Sequence, residues 1–158
     1  MGKRRDIKVL FCDVDGTLTD GSLYYSANGE IIKVFHVHDG QGIRDWLQNN
    51  RIVVVLSSRQ SDSLKSRFAE LGISELYQNV QDKATLVKEW LQSHGFEKHQ
   101  AAYIGDDVND LKAMKLVALS ACPVDAHPQV REAVDYVCDL PAGRGAVREF
   151  IDYLLKRG

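Results

Sequence analysis

The residues of this chain most able to do chemistry are carboxylates, hydroxyls and a lysine placed just beyond short apolar runs. Asp13-Val14-Asp15-Gly16-Thr17 follows the run Ile7–Cys12 directly. In extended chain, residues two apart point the same way, so Asp13 and Asp15 can reach one site at the end of a strand. Two close carboxylates repel each other, and a divalent cation relieves the repulsion. Mg²⁺ suits the role, since it takes few protein oxygens, keeps several waters and neutralises phosphate. One carboxylate can attack phosphorus as a covalent nucleophile. The other can protonate the leaving oxygen and later deprotonate a water. Gly16 permits a sharp turn that brings backbone N–H groups toward a ligand. Paired aspartates are also common in surface turns; their place after an apolar strand is what sets this pair apart.

Three further strand ends add to the set. Ile52–Leu56 runs into Ser57-Ser58-Arg59, where a hydroxyl and free N–H groups can take a phosphoryl oxygen or cap a helix. Lys83 follows Asp82 at the start of a helical pattern, where the helix dipole disfavours a cation. That misfit points to a second use, a positive charge on phosphate and on the nucleophile. Ala101–Ile104 runs into Gly105-Asp106-Asp107-Val108-Asn109-Asp110. Asp106 is placed as a metal ligand, and Asp107 or Asp110 to orient Lys83. Helix capping accounts for one of these aspartates but not for three.

The elements that must position these residues alternate. Ile7–Cys12, Ile52–Leu56, Ala101–Ile104 and Val117–Leu119 are short apolar runs, with Tyr136–Cys138 as a further candidate. They read as strands covered on both faces, hence a parallel sheet. Between them, Leu64/Phe68/Leu71 before Gly72, Leu86/Val87/Trp90/Leu91 before Gly95, and Val147/Phe150/Ile151/Leu154/Leu155 carry helical spacing. The alternation predicts a doubly wound α/β fold in one domain over residues 1–158. Such folds bind ligands beyond the carboxyl ends of the strands. One segment, about 22–36, breaks the pattern. Ser22–Tyr25 and Ile31–Phe35 flank Ala27-Asn28-Gly29, which predicts a β-hairpin inserted after the first strand. It is apolar on both faces (Leu23, Tyr24, Tyr25, Ile31, Ile32, Val34, Phe35), so it is expected to pack on copies of itself in an oligomer, or otherwise on its own domain.

Composition limits the function classes. The chain has 158 residues, 44% hydrophobic and 27% charged, with net charge −2. That balance gives no general attraction to nucleic acid or an anionic membrane surface. The cluster Lys3-Arg4-Arg5 is too short for a nucleic-acid arm and reads as a solvated tail. No run approaches the ~20 apolar residues of a membrane span. Cys12, Cys122 and Cys138 are odd in number and lie in apolar stretches, so buried free thiols and a cytoplasmic location are expected. Zinc-type Cys/His spacing is absent.

The set D-V-D-G-T (13–17), the strand end at Ser57, Lys83 and G-D-D-V-N-D (105–110) resembles the four motifs of the haloacid dehalogenase superfamily of phosphatases. The hairpin, H-V-H-D-G-Q-G-I-R (36–44), Y-I-G-D-D (103–107), D-A-H-P (125–128) and G-R-G-A-V-R-E (143–149) are similar to those of the 3-deoxy-D-manno-octulosonate 8-phosphate (KDO 8-phosphate) phosphatases, over nearly the whole chain. The resemblance implies a Rossmann-like fold without a large cap domain, and hydrolysis of KDO 8-phosphate in lipopolysaccharide precursor synthesis. It implies Asp13 as nucleophile and Asp15 as general acid and base. Mg²⁺ would be held by Asp13, the backbone carbonyl of Asp15, and Asp106, with Ser57 and Lys83 on the phosphoryl group. Substrate contacts are expected from Ser58, Arg59, Arg67, Asp39, Gly40 and Arg144. An arginine fork suits the substrate carboxylate, and Arg59 favours the eight-carbon acid, since the related nine-carbon branch tends to carry an acidic residue there. The resemblance further implies a homotetramer whose hairpins form a central barrel, with Gly143-Arg144-Gly145 of a neighbour covering the substrate. One departure is Ser57-Ser58, where the family usually has Thr-Gly. Alternatives are the same chemistry on another sugar or nine-carbon ketoacid phosphate, a phospho-receiver domain, and a non-catalytic oligomerisation module. Asp15 argues against the receiver, and the intact acidic set against the module.

Overall fold

The computed structural model describes residues 6–157; the cluster Lys3-Arg4-Arg5, Gly158 and the side chain of Ile31 lie outside the described residues. The central strand β1 (Val9–Asp13) is wholly buried and pairs in parallel with β4 (Ile52–Leu56) on one side and β6 (Ala101–Ile104) on the other. Outward from β4 lies β5 (Glu75–Tyr77). Outward from β6 lie β7 (Leu119–Cys122) and β8 (Tyr136–Val137), giving a six-stranded parallel sheet in the order β5-β4-β1-β6-β7-β8. Strand order reverses at β1, so the crevice between the ends of β1 and β6 is where such a fold takes its ligand.

Helices cover both faces. Leu10 and Cys12 of β1 point into one core with α1 (Val37–Gln48), α2 (Asp62–Leu71) and α6 (Ala146–Arg157), through Ile43, Trp46, Phe68, Phe150 and Ile151. Val9 and Phe11 point into the other with α3 (Lys83–His94), α4 (Leu111–Met114) and α5 (Pro128–Ala133), through Val87, Trp90, Met114 and Val130. Burial of alternate β1 residues on opposite faces is the pleat's period of two. Gly72 and Gly95 end α2 and α3 in the left-handed conformation, where the sequence places their stops.

The structure departs from the sequence reading at α1, α4, α5, β5, β7 and the hairpin turn; α4 and α5, of four and six residues, are too short to carry a helical period. Helix α1 is absent from that reading, because its buried face is Asp39, Gly40, Gly42, Ile43 and Trp46, and two of those are glycines. Strand β5 is short, half-buried and of mixed polarity, so it carries no apolar signal. Strand β7 begins at Leu119 rather than Val117, since buried Ser120 and Ala121 look like loop residues in sequence. In the hairpin, β2 (Tyr24–Ser26) pairs antiparallel with β3 (Gly29–Ile32), and the turn is Ala27-Asn28. Gly29 carries the positive φ of 106° as the first residue of β3. Leu23, Tyr24, Tyr25, Ile32 and Val34 of the hairpin remain exposed.

Candidate active site

Asp13 ends β1 as a buried carboxylate, in register with Leu56 of β4 and one residue past the pairing with β6. Lys83 is the first residue of α3, whose N-cap Asp82 accepts the Thr85 N–H at 3.0 Å. This start turns the Lys83 side chain inward until it is 3% exposed. Its Nζ donates to Asp13 Oδ1 at 2.8 Å and to Asp110 Oδ1 at 2.8 Å. Asp110, fully buried, also accepts the Tyr103 hydroxyl at 2.6 Å and the backbone N–H groups of Asp106 at 3.1 Å and Asp107 at 3.3 Å. The carboxylate of Asp110 is thereby committed on both oxygens.

Asp106 follows β6 and faces Asp13. Carboxylate oxygens of Asp13, Asp106 and Asp110 lie within 4.8 Å of one another. Thr17 Oγ1 donates to Asp106 Oδ1 at 3.4 Å. Gly16, with φ of 79°, is required here: a Cβ on it would stand 2.0 Å from Asp106 Oδ2. Burial, with Asp110 close by, pushes the Asp13 carboxyl well above the ordinary aspartate value against the pull of Lys83. Burial also raises Asp106, even though the neighbouring Asp13 carboxyl is hydrogen-bonded to it. Burial works against the Lys83 ammonium, but Asp13 and Asp110 more than offset it and hold its pKa above the usual lysine value.

Three carboxylates against one ammonium leave an excess of negative charge at this end of the sheet. Asp110 is spent on Lys83, Tyr103 and backbone amides, whereas Asp13 and Asp106 face each other with hard oxygen donors. A small divalent cation fits that pair. The carboxylate of Asp15 is not one of these converging oxygens. Its Oδ1 accepts from Lys33 Nζ at 2.6 Å, and Lys33 donates also to Glu30 Oε2 at 3.0 Å. For Lys33, the hydrogen bonds to Asp15 and Glu30 outweigh burial and raise its pKa.

A cavity of about 160 Å³ opens over this cluster. Of the residues singled out in sequence, Asp13, Asp15, Ser58, Arg59, Lys83, Asp106 and Asp107 line it. Ser57 does not. Ser57 is 1% exposed, and its hydroxyl accepts the Arg59 N–H at 3.2 Å, shaping the loop beneath the cavity. Arg59 bonds the Tyr25 hydroxyl and lies 4.0 Å from Glu30, both on the hairpin. Asp107 caps the turn that follows it through the Val108 N–H at 2.7 Å.

The remaining expected contacts lie elsewhere. Asp39 is 2% exposed, and its Oδ1 accepts the Arg148 N–H at 3.0 Å, with the Gly145 and Val147 N–H groups also bonded to it. It therefore caps the N-terminus of α6 from the first turn of α1, and it does not line the cavity. Gly40 makes room for Arg67, whose Nη2 stands 2.4 Å from where a Cβ would be. Arg67 pairs with Glu70 at 3.0 Å and lies over the Phe35 ring, outside the cavity lining. Arg144 is exposed, and the preceding Gly143 donates its N–H to Thr17 O at 3.2 Å, so this segment packs on its own chain.

Sequence reasoning missed four residues here. Asn109 lines the cavity and donates to Ser58 Oγ at 3.4 Å. Tyr103 and Thr17 bond the acidic cluster, but both read as apolar-strand or turn residues in sequence. Lys33 had a signal, a lone cation in the apolar run Ile31–Phe35.

Comparison with known proteins places the chain among relatives of similar sequence and fold. The family described as haloacid dehalogenase-like hydrolase matches residues 50–151. The 3-deoxy-D-manno-octulosonate 8-phosphate phosphatase of Salmonella typhi is 41% identical over 155 residues, 98% of this chain and 82% of that protein. The cobalt-bound deoxy-D-mannose-octulosonate 8-phosphate phosphatase of Haemophilus influenzae superposes with TM-score 0.94 at 42% identity, over 98% of this chain and 91% of the other. The Moraxella catarrhalis 3-deoxy-D-manno-octulosonate 8-phosphate phosphatase, solved with magnesium, phosphate and KDO, gives TM-score 0.93 at 36% identity, over 98% and 89% of the two chains.

Proposed function

This chain belongs to the haloacid dehalogenase-like hydrolases, in the family of 3-deoxy-D-manno-octulosonate 8-phosphate phosphatases, and on that footing we propose that it hydrolyses KDO 8-phosphate to KDO and inorganic phosphate in lipopolysaccharide precursor synthesis. The observation that carries the reading is the meeting of Asp13, Asp106 and Lys83 beneath one small cavity at the end of the central strand.

A carboxylate oxygen of Asp13 attacks phosphorus, and the bond from phosphorus to the sugar oxygen breaks. Asp15 gives its proton to that oxygen, releasing KDO. Asp15 then takes a proton from a water that attacks the aspartyl-phosphate, and the bond from Asp13 to phosphorus breaks to release phosphate. Lys83 sets a buried positive charge beside the oxygens that gain charge. Asp13, Asp106 and the backbone carbonyl of Asp15 would hold Mg²⁺, which lowers the repulsion between the nucleophile and the phosphate dianion. Ser57 and Lys83 hold the phosphoryl oxygens, with Ser58 and Asn109, which line the same cavity and bond each other, as further donors. Arg59 faces the carboxylate of the ketoacid.

The exposed apolar side chains of the hairpin support assembly as a homotetramer through that element. Three buried free thiols support a reducing, cytoplasmic location; among the described residues no helix is long and apolar enough to cross a membrane.

A panel of phosphorylated ketoacids and sugars, assayed with the purified enzyme and Mg²⁺, tests the assignment. KDO 8-phosphate is expected to give the highest kcat/KM. Equal turnover of a generic aryl phosphate, or preference for a nine-carbon ketoacid phosphate, would overturn it.

A further inference from the structure

We propose that Lys33 is a positioning residue of the reaction, holding the Asp15 carboxylate at the hairpin side of the cavity where the sugar oxygen leaves. The proposal rests on the reading of Asp15 as acid and base. Lys33 follows β3 between exposed Ile32 and Val34, and although the residue as a whole is half-buried, its side chain is only 2% exposed. A solvated surface lysine would not be buried there, since burying an ammonium is costly unless it is paired. Its two partners are Asp15 at 2.6 Å and Glu30 at 3.0 Å.

Asp15 lies two residues from Asp13 and borders the same cavity. A free carboxylate at this point would be drawn toward any cation held by Asp13 and Asp106. Gripped by that cation it could not carry a proton to the leaving oxygen, whereas Lys33 bonds Oδ1 alone and leaves Oδ2 for the proton. The oxygens that do converge belong to Asp13, Asp106 and Asp110, and Asp15 is engaged by Lys33 instead. Glu30 anchors Lys33 and sits 4.0 Å from Arg59, which lines the cavity. One row of charges, Asp15, Lys33, Glu30 and Arg59, thus connects the proton donor to the arginine beside the substrate. The hairpin supplies its two middle members, so its docking sets the geometry of proton transfer.

The test compares two leaving groups in Lys33→Met. A sugar alkoxide needs a proton to leave; p-nitrophenolate does not. For KDO 8-phosphate, kcat/KM is expected to fall by about 10²-fold or more, the range of general acid–base assistance, and for p-nitrophenyl phosphate by about threefold at most. Lys33→Arg, which keeps a cation, is expected to recover much of the loss. Equal losses on both substrates, or none on either, would overturn the proposal. If Lys33→Met does not fold, Glu30→Gln is read the same way, since it leaves Lys33 with one anchor. Should the wild-type enzyme prefer another alkyl phosphate, the same contrast on that substrate still tests Lys33, so the substrate assignment and the positioning role fail separately.

Discussion

Lys83 Nζ stands 2.8 Å from Asp110 and 2.8 Å from Asp13, so a carboxylate that does not line the cavity sets the position of the ammonium that does. Asp110 is fully buried and also gathers Tyr103 and two backbone N–H groups. Asp110→Ala is expected to cost about 3–5 kcal/mol of stability, because it leaves a buried ammonium with one partner. The milder Asp110→Asn is expected to lower kcat far more than it raises KM. Thermal melts and steady-state kinetics check both; an unchanged kcat in Asp110→Asn would contradict the positioning of Lys83.

Arg59 lines the cavity, whereas Arg67 is held between Glu70 and Phe35. Arg59→Ala is expected to raise KM for KDO 8-phosphate by about tenfold or more, the effect of one charge-assisted hydrogen bond of about 1.5–3 kcal/mol. It should leave KM for p-nitrophenyl phosphate, which has no carboxylate, nearly unchanged. A larger KM effect from Arg67→Ala than from Arg59→Ala would reverse the assignment.

Asp39 caps α6 across the α1–α6 contact. Asp39→Ala is expected to lose about 0.5–2 kcal/mol of stability, as other cap deletions do. Its kcat/KM should stay close to that of the wild type. A loss of turnover with unchanged stability would make Asp39 a substrate contact after all.

Burial and Asp110 raise the Asp13 carboxyl above its ordinary value of 3.8. In the metal-free protein the folded state therefore keeps a proton that the unfolded chain has released. Stability from this group is present at low pH and declines as pH rises through the raised folded value. A bound cation competes with that proton. The Mg²⁺ concentration for half-maximal activity is thus expected to fall as pH rises, chelation to abolish turnover and added Mg²⁺ to restore it. Activity that survives exhaustive chelation would contradict the cation's role.

What could be read from sequence divides along physical lines. Strands β1, β4 and β6 were legible because strands buried on both faces are near-continuous apolar runs. Asp13, Lys83 and Asp106 were legible because each breaks its local pattern at a strand or helix end. Helix α1 was not, since its buried face is built from Asp39 and two glycines that pack by close approach. Strand β5 is an edge strand of three half-buried residues. The positions of Asp39 and Gly40 in α6 capping and Arg67 packing depend on contacts far apart in sequence, which no local motif encodes. The partnership of Lys33 with Asp15 spans the hairpin turn, and only the folded insert brings the two together.

The covalent step on Asp13 is the centre of this account. Acid-quenching the enzyme during turnover of KDO 8-phosphate labelled in its phosphoryl group, then mapping the label by peptide mass spectrometry, tests it directly. The expected result is phosphate on Asp13, lost in Asp13→Asn together with turnover. Steady turnover with the label on another residue, or an Asp13→Asn enzyme that still hydrolyses the substrate, would contradict it.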